Sequence, residues 1–187
     1  MIQPWKFVGS SLIGDYKIFS LHLQKRISPR TGQEHEFYLL DCPDWVNVIA
    51  LTEDNKIILV EQYRQGSDTI ELEIPGGMID PGDGDPIKAG LRELREETGF
   101  VGDEARIIGK VLPNPAFMRN TCYTILVRNC RKMHETSFDP TEDVATYFCE
   151  IDEIPGLIAG GKIRHSLVVA AFYYFNLWAQ LAFQNNK

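Results

Sequence analysis

The chain has 187 residues, of which 44% are apolar and 24% charged, as in ordinary globular proteins of about one domain. The formal net charge of −7 at pH 7 argues against a nucleic-acid-binding surface, because binding duplex phosphates requires a basic stripe. The cysteines form no CxxC pair, and the N-terminus (MIQPWKFVGS) contains no apolar run of the signal-peptide type. We therefore expect a cytoplasmic protein with reduced, buried thiols.

The start of the chain predicts an N-terminal β extension over residues 1–43. Residues 14–25 are expected to form one strand, 28–32 (SPRTG) a turn, and 36–41 a returning strand. A hairpin of this size holds no core of its own, so it must pack against another surface. Four aromatic residues are candidates either for stacking a nucleobase or for plain packing in a core or interface: Trp5, Phe7, Tyr16 and Trp45.

Residues 44–187 are predicted to form the second domain. Strands are expected at 44–51, 56–62, 105–112, 121–128 and 144–151. A short helix is expected from residue 152 to the Gly160–Gly161 pair, which is a helix C-cap signal. The segment 165–183 is apolar nearly all round, but Asn176 and Gln180 interrupt it and its length is marginal for a membrane span. We predict a buried or dimer-facing helix there, and no membrane association.

The chemistry is concentrated between Glu71 and Phe100, in a short strand, a loop rich in glycine and proline, and a helix over 87–98. On a helix with about 100° per residue, one apolar stripe faces the core. That stripe consists of Ile87, Leu91, Leu94 and Thr98. Arg92 and Glu96 share another face and neutralise each other.

Glu93 and Glu97 share a separate face of this helix, four residues apart. Like charges at that spacing cost about 0.2–0.5 kcal/mol, so two carboxylates aimed at one point require a cation. Gly90 is expected to leave room beside them. Carboxylates, together with carbonyls of the preceding loop, are the hard oxygen ligands that suit Mg²⁺ or Mn²⁺.

Gly77 and the run 92–100 (RELREETGF) resemble the Nudix box, G-x5-E-x7-R-E-U-x-E-E-x-G-U with U apolar. The second half matches at every fixed position, whereas the first half departs from the pattern. Asp83 stands where the pattern has Glu, and one extra residue, near Gly84, precedes Arg92. The resemblance implies that Glu93, Glu97 and Glu142 bind metal with the carbonyl of Gly76, and that Glu96 holds Arg92 and the loop.

Two further segments resemble ADP-ribose-type Nudix hydrolases. Residues 61–64 (EQYR) and 73–77 (EIPGG) match patterns that precede the box in those enzymes. The resemblance implies that Arg64 and Glu73 bind substrate, with Arg64 as a surface ion pair the alternative. Met78, Arg119 and Asn120 are further candidates for substrate contact, Arg119 and Asn120 because they end the loop 113–120. In the acidic loop 137–144, Glu142 is the best match for a metal ligand or general base, with Asp139 and Asp143 as rivals.

The resemblance implies an α/β fold, a Nudix-type α/β/α sandwich with a mixed central sheet. It implies metal-dependent hydrolysis of a nucleoside diphosphate sugar, ADP-ribose being favoured, to a nucleoside monophosphate and a sugar phosphate. In that branch the N-terminal segment helps form a homodimer, often by exchange between subunits. The alternatives are hydrolysis of dinucleoside polyphosphates, damaged nucleoside triphosphates or capped RNA, or a catalytically silent domain that senses a nucleotide.

Overall fold

A computed structural model describes residues 1–138 and 140–185. The chain divides into two compact units. The first consists of Met1–Asp44 and Leu112–Thr121, and the second of Trp45–Val111 and the chain from Cys122 onward. The first unit therefore combines the N-terminal residues with a segment from the middle of the chain.

The first unit is built on a three-stranded antiparallel sheet in the order β1-β2-β3. Its strands are β1 (Lys6–Tyr16), β2 (Phe19–Ile27) and β3 (Glu34–Asp41). The prediction of one strand over 14–25 is wrong, because the chain reverses at Lys17 and Ile18 and Tyr16 pairs with Phe19. That turn lacks the Asn-Gly or Asp-Gly pair that marks most two-residue hairpins in a sequence.

The segment Leu112–Thr121 is fastened to the end of β3 by hydrogen bonds within the first unit. The Leu40 amide donates to the Phe117 carbonyl over 2.7 Å. The Asn120 side-chain amide donates to the Pro43 carbonyl over 3.2 Å. The sequence predicts a loop here whose end contacts substrate. In the structure this segment belongs to the first unit, where the two hydrogen bonds hold it beside β3.

The second unit contains one mixed sheet in the order β11-β5-β4-β10-β8, with β6 on β5, β7 on β4 and β9 on β10. The strands are β4 (Trp45–Thr52), β5 (Ile57–Arg64), β6 (Thr69–Glu73), β7 (Gly76–Met78), β8 (Phe100–Val101), β9 (Glu104–Val111), β10 (Cys122–Lys132) and β11 (Val144–Cys149). β4 and β10 run parallel, and the other pairings are antiparallel. The predicted mixed sheet is thus present.

Helices cover both faces of this sheet. They are α1 (Pro86–Thr98), α2 (Ile154–Ala159), preceded by a 3-10 turn, and α3 (Ser166–Asn185). Alternate residues of β4 point to opposite faces, so Val48 and Ala50 pack in the core with Leu94 of α1. Ile49 and Leu51 pack in the core that α2 and α3 cover. The arrangement is an α/β/α sandwich.

No helix in the described part of the chain has both the length and the apolar character needed to cross a membrane.

Local sequence fixes both ends of α1. Asp85 caps its start, because its carboxylate accepts a hydrogen bond of 3.0 Å from the Lys88 amide, and Pro86 occupies the first turn. Gly99 ends it in the left-handed region, at φ 75°, and donates to the Arg95 carbonyl over 2.8 Å. The helix is therefore held in a fixed register over the sheet.

The expected role of Gly90 is wrong. A Cβ at this position would lie 2.9 Å from Cγ1 of Ile125 and 3.2 Å from Cγ2 of Val48. Gly90 therefore lets α1 approach β4 and β10 closely, and the room beside a carboxylate comes from a different glycine.

We predict that Gly90→Ala destabilises the protein by about 1–3 kcal/mol through overpacking, although alanine is the better helix former by about 1 kcal/mol. Gly156→Ala in α2 is the matched control, because a Cβ there meets nothing within 4 Å. That control should be neutral or slightly stabilising. Urea unfolding of the two variants measures both effects, and a Gly90→Ala protein as stable as wild type would contradict the packing explanation.

Candidate active site

Two buried carboxylates of α1 lie against the backbone of β7. The Gly76 amide donates a hydrogen bond of 3.1 Å to Oε2 of Glu97, which is 3% exposed. A Cβ on Gly77 would lie 2.3 Å from Oε1 of Glu93, so only glycine leaves this carboxylate its place. The glycines of β7 and the acids of the helix are therefore in direct contact.

The surroundings of these two carboxylates disfavour their ionised form. The pKa of Glu93 is raised to about 7, mainly by burial; Arg92 opposes this shift, and the charges of Glu96 and Glu142 add to it. Burial, then the charge of Glu93, raises the pKa of Glu97 well above its usual value. Glu142 also raises it, so the acidic loop before β11 lies within electrostatic reach of the pair. Two buried carboxylates of this kind require a cation nearby when both are ionised.

The donor set fits a hard divalent cation. Glu93 and Glu97 offer carboxylate oxygens beside the backbone of Gly76 and Gly77. Within residues 1–138 and 140–185, no three His, Cys, Asp or Glu side chains are arranged to hold a metal by themselves. The pair therefore needs a further oxygen ligand, such as a loop carbonyl or a shifted Glu142.

Arg92 is the hub that holds the loop before α1. Its Nε and Nη2 donate to the two oxygens of Asp83 over 2.9 and 3.0 Å, and Nη2 also donates to the Met78 carbonyl over 2.9 Å. Nη1 donates to Glu93 and Glu96, each over 3.0 Å. The hydrogen bonds between Arg92 and Asp83 are the main cause that lowers the pKa of Asp83 and raises that of Arg92. Arg92 therefore pairs with Asp83 and Glu93 in addition to its predicted partner Glu96.

The departure from the Nudix box thus has a structural compensation. Asp83 has a side chain one carbon shorter than Glu, and the loop that carries it is one residue longer, with Gly84 in the left-handed region at φ 80°. The longer loop brings the shorter carboxylate within reach of both arms of the Arg92 guanidinium.

Arg64 stands at the end of β5 and is anchored by Glu73. Nε and Nη2 of Arg64 donate to the two Glu73 oxygens over 2.8 Å each, a bidentate geometry. The hydrogen bonds to Glu73, with further contributions from the charges of Glu97 and Glu142, raise the pKa of Arg64. Glu73 itself is 2% exposed, so it orients Arg64 rather than meeting solvent.

A cavity of about 710 Å³ lies on the α3 side of the sheet, next to β7. Gly76, Gly77 and Met78 line it, together with Arg64 and Glu73. Its remaining wall comes from β4, β6, Cys122 of β10, the turn after β5, and the start of α3, and includes Trp45, Asn47, Glu71, Arg164 and His165. Asn47 and Arg164 were not predicted as site residues. The available signal for Asn47 was an amide within the apolar strand VNVIAL.

The start of α3 is tied to this wall by a buried carboxylate. Arg164 donates three hydrogen bonds of 2.5–3.1 Å to Glu71, and Thr69 and Ser67 donate to the same side chain. The Asn47 amide donates to the Leu167 carbonyl over 3.1 Å.

The remaining predicted residues take varied positions. In the first unit, NH1 of Arg119 lies 3.5 Å from Asp41, and the buried Asn120 anchors its loop to Pro43. Trp5 packs edge-on against neighbouring rings of the first unit. Met78 is exposed and lines the cavity. Among the rivals of Glu142, Asp143 is exposed and Asp139 lies outside the described residues.

Comparison with known proteins places the chain. A family model described as NUDIX domain matches residues 43–172. The methanol dehydrogenase activator of Bacillus methanolicus is 31% identical over 147 residues, which cover 78% of this chain and 79% of that protein. An ADP-ribose pyrophosphatase of Bacillus subtilis (strain 168) is 25% identical over 173 residues, 92% of each chain. The chain therefore belongs to the NUDIX family, as its box predicts.

The fold comparison agrees. The crystal structure of an ADP compounds hydrolase superposes with a TM-score of 0.84 at 18% identity and covers 96% of both chains. This likeness confirms the predicted α/β/α fold. The family match and the relatives confirm the predicted class of enzyme, a Nudix pyrophosphohydrolase, and the Bacillus subtilis relative falls in the predicted branch.

We predict an acid-dependent contribution to stability from Glu71. Its hydrogen bonds, foremost those from Arg164, lower its pKa from 4.5 to about 2. A carboxylate with a lowered pKa in the folded state stabilises the fold above its unfolded pKa and loses that effect as the pH falls. The difference in melting temperature between wild type and Glu71→Gln should therefore be constant above about pH 5 and shrink between about pH 4.5 and 2. A difference that is independent of pH would contradict the assigned ion pair.

Proposed function

We propose that this chain hydrolyses the pyrophosphate bond of a nucleoside diphosphate sugar, with ADP-ribose the favoured substrate, to a nucleoside monophosphate and a sugar phosphate. The observation that carries the proposal is the buried pair Glu93 and Glu97 against the glycines of β7, with Arg64 in the field of Glu97. ADP-ribose pyrophosphatase is also the name of the Bacillus subtilis relative.

Mg²⁺ or Mn²⁺ would be held by Glu93, Glu97 and the carbonyl of Gly76, with Glu142 reaching it from its loop. When bound, such a cation offsets the charge of the diphosphate and makes a coordinated water acidic enough to supply hydroxide near neutral pH.

The side chains of this protein have separable tasks in that reaction. Arg64, oriented by Glu73, binds oxygens of the diphosphate or its ribose, because a guanidinium matches their geometry. Arg92 and Glu96 hold the loop that presents Gly76 and Met78, through the hydrogen bond from Arg92 to the Met78 carbonyl.

Glu142 is the candidate general base, because the loop that carries it is exposed and lies within the field of Glu93 and Glu97. The exposed Arg119 and Met78 are candidates for substrate contact. Asn120 is proposed to act only on the position of its loop, because its side chain is buried.

We predict that Glu97→Gln lowers kcat for ADP-ribose hydrolysis by about 10³-fold, the scale lost when a group that stabilises transition-state charge is removed. The melting temperature should stay the same or rise, since a buried carboxylate becomes neutral. Glu104→Gln, an exposed acid of β9, is the control and should retain full activity. Turnover is measured as released AMP with Mg²⁺, and activity retained by Glu97→Gln would refute the assignment.

We further propose a homodimer that uses the first unit, in a cytoplasmic enzyme with no nucleic-acid partner. Apolar side chains of β1 and β3 remain exposed in the first unit, among them Phe7, Leu12, Tyr16 and Tyr38. Exposed apolar side chains grouped on one sheet are typical of protein–protein contact surfaces. The four free cysteines support a reducing compartment.

The dimer proposal predicts that Leu12→Lys halves the molar mass measured by light scattering at low protein concentration. Met133→Lys is the control, because Met133 has the same exposure of 59% as Leu12 and belongs to the second unit. A dimeric mass for Leu12→Lys, or a monomeric mass for wild type, would count against the use of this surface.

A further inference from the structure

We propose that the outer edge of β11 (Val144–Cys149) is a docking site for an extended segment of another protein, with apolar and aromatic residues in its centre and Lys or Arg at both ends. The segment adds one strand to the sheet of the second unit. This inference goes beyond the proposed hydrolysis and is independent of it, because it uses none of the residues assigned to that reaction.

β11 is an edge strand with unpaired backbone on one side. Among the residues that the structure describes, β5 is its one strand partner, and β11 stands at the end of the order β11-β5-β4-β10-β8. Alternate residues of such a strand direct their N–H and C=O groups away from the sheet, where they form a template for a further strand. The register with β5 is unbroken from Val144 to Cys149, so no bulge bends this edge away from a partner.

The opposite edge of the same sheet is protected against such pairing, and β11 is not. β9, which lies beyond β10, carries three exposed charged residues, Glu104, Arg106 and Lys110, and its register with β10 shifts once. Charges, above all lysine, and bulges are the means by which proteins keep an edge strand from pairing. β11 has the sequence VATYFC, with no charged residue, proline or glycine. The two edges therefore differ as expected if β11 is the one that receives a partner.

Aromatic side chains of β11 extend the contact surface on both faces of the sheet. Tyr147 and Phe148 are 46% and 50% exposed and, as neighbours in a strand, point to opposite faces. The Tyr147 hydroxyl donates to Glu61 over 3.0 Å, and Phe148 packs edge-on against Phe100 with 5.6 Å between the ring centroids. Aromatic and β-branched residues of an added strand are favourable cross-strand neighbours for such rings.

Both ends of β11 are acidic. Asp143 precedes the strand, and Glu150, Asp152 and Glu153 follow it, all of them exposed. Lys56 lies 3.8 Å from Glu150 and offsets part of this charge. Lys or Arg at the two ends of the incoming strand complements this distribution of charge and favours such partners over acidic ones.

The same acids disfavour a second copy of this chain as the occupant. In an antiparallel pair of β11 strands with full overlap, Val144 of one copy lies opposite Cys149 of the other. Asp143 then lies opposite Glu150 at both ends of the pair. A parallel pair with full overlap places each acid opposite itself. Like charges directly opposite each other destabilise a strand pair, so the occupant is a different chain.

The test uses a fluorescent peptide of the sequence KKVTVYITKK and the full chain. Anisotropy measures the affinity, and hydrogen exchange followed by NMR identifies the amides that the peptide protects. Two further peptides separate the sources of binding. EEVTVYITEE reverses the charge of the ends, and KKVTVYITKK with two adjacent central amides N-methylated lacks a backbone donor on each of its edges.

Two variants of the protein alter the proposed surface. Tyr147→Lys places a lysine on the edge, as β9 has, and Ile107→Lys on β9 is its control because the exposures of 46% and 45% are nearly equal. Asp152→Lys makes one end less acidic, and Glu135→Lys, another exposed acid of the second unit, is its control. Melting temperatures identify any variant that is poorly folded, and the exposed Asp152 keeps the test valid if Tyr147→Lys is unstable.

We expect KKVTVYITKK to protect amides of β11 and to bind about ten-fold more weakly to Tyr147→Lys and about three-fold more weakly to Asp152→Lys. Both controls should bind it as wild type does. Acidic ends or N-methylation should each weaken binding to wild type about ten-fold.

The proposal is overturned if KKVTVYITKK does not bind, if the N-methylated peptide binds equally well, or if the protected amides lie outside β11. It is also overturned if both folded variants bind the peptide as wild type does, or if the controls lose as much affinity as the variants. Protection of β11 that rises with protein concentration in the absence of peptide would identify a second copy as the occupant and contradict the proposal.

Discussion

The second unit depends on the close approach of two glycines to two buried acids. Gly76 donates to Glu97 while a Cβ on it would lie 2.3 Å from the Val46 carbonyl, so β7 is pressed between strand and helix. Gly77 leaves the place that Glu93 occupies. This arrangement works only if α1 lies close to the sheet, and Gly90 permits that approach. Three glycines therefore determine where the carboxylates of the helix can act.

The loop between β7 and α1 shows how a changed motif can keep its geometry. In the sequence, Asp83 is one residue farther from Arg92 than the Glu of the box pattern, and its side chain is one carbon shorter. In three dimensions the longer loop and the shorter acid compensate each other, and Arg92 still receives a bidentate partner. The feature that survives is the ion pair, because the guanidinium fixes both the distance and the plane of the carboxylate.

The sequence predicted what depends on local patterns. The helix over 87–98, the pairing of Arg92 with Glu96 and the main strands of the sheet all follow from spacing and residue type. The turn at Lys17 and Ile18 was missed because it carries no turn signal. The attachment of Leu112–Thr121 to the first unit was missed because it depends on partners far away in the chain. The cavity wall was missed for the same reason, since Arg164 and Glu71 meet only after folding.

The bare backbone of β7 also limits how such a protein can change. A Cβ at Gly76 would meet the Val46 carbonyl and one at Gly77 would displace the Glu93 carboxylate, so this strand offers little freedom to suit a new ligand. Under the proposed function, variation that alters substrate preference falls on the other walls of the cavity, at positions such as Trp45 and His165. A library built to redirect this enzyme should therefore randomise those walls and leave the glycine strand untouched.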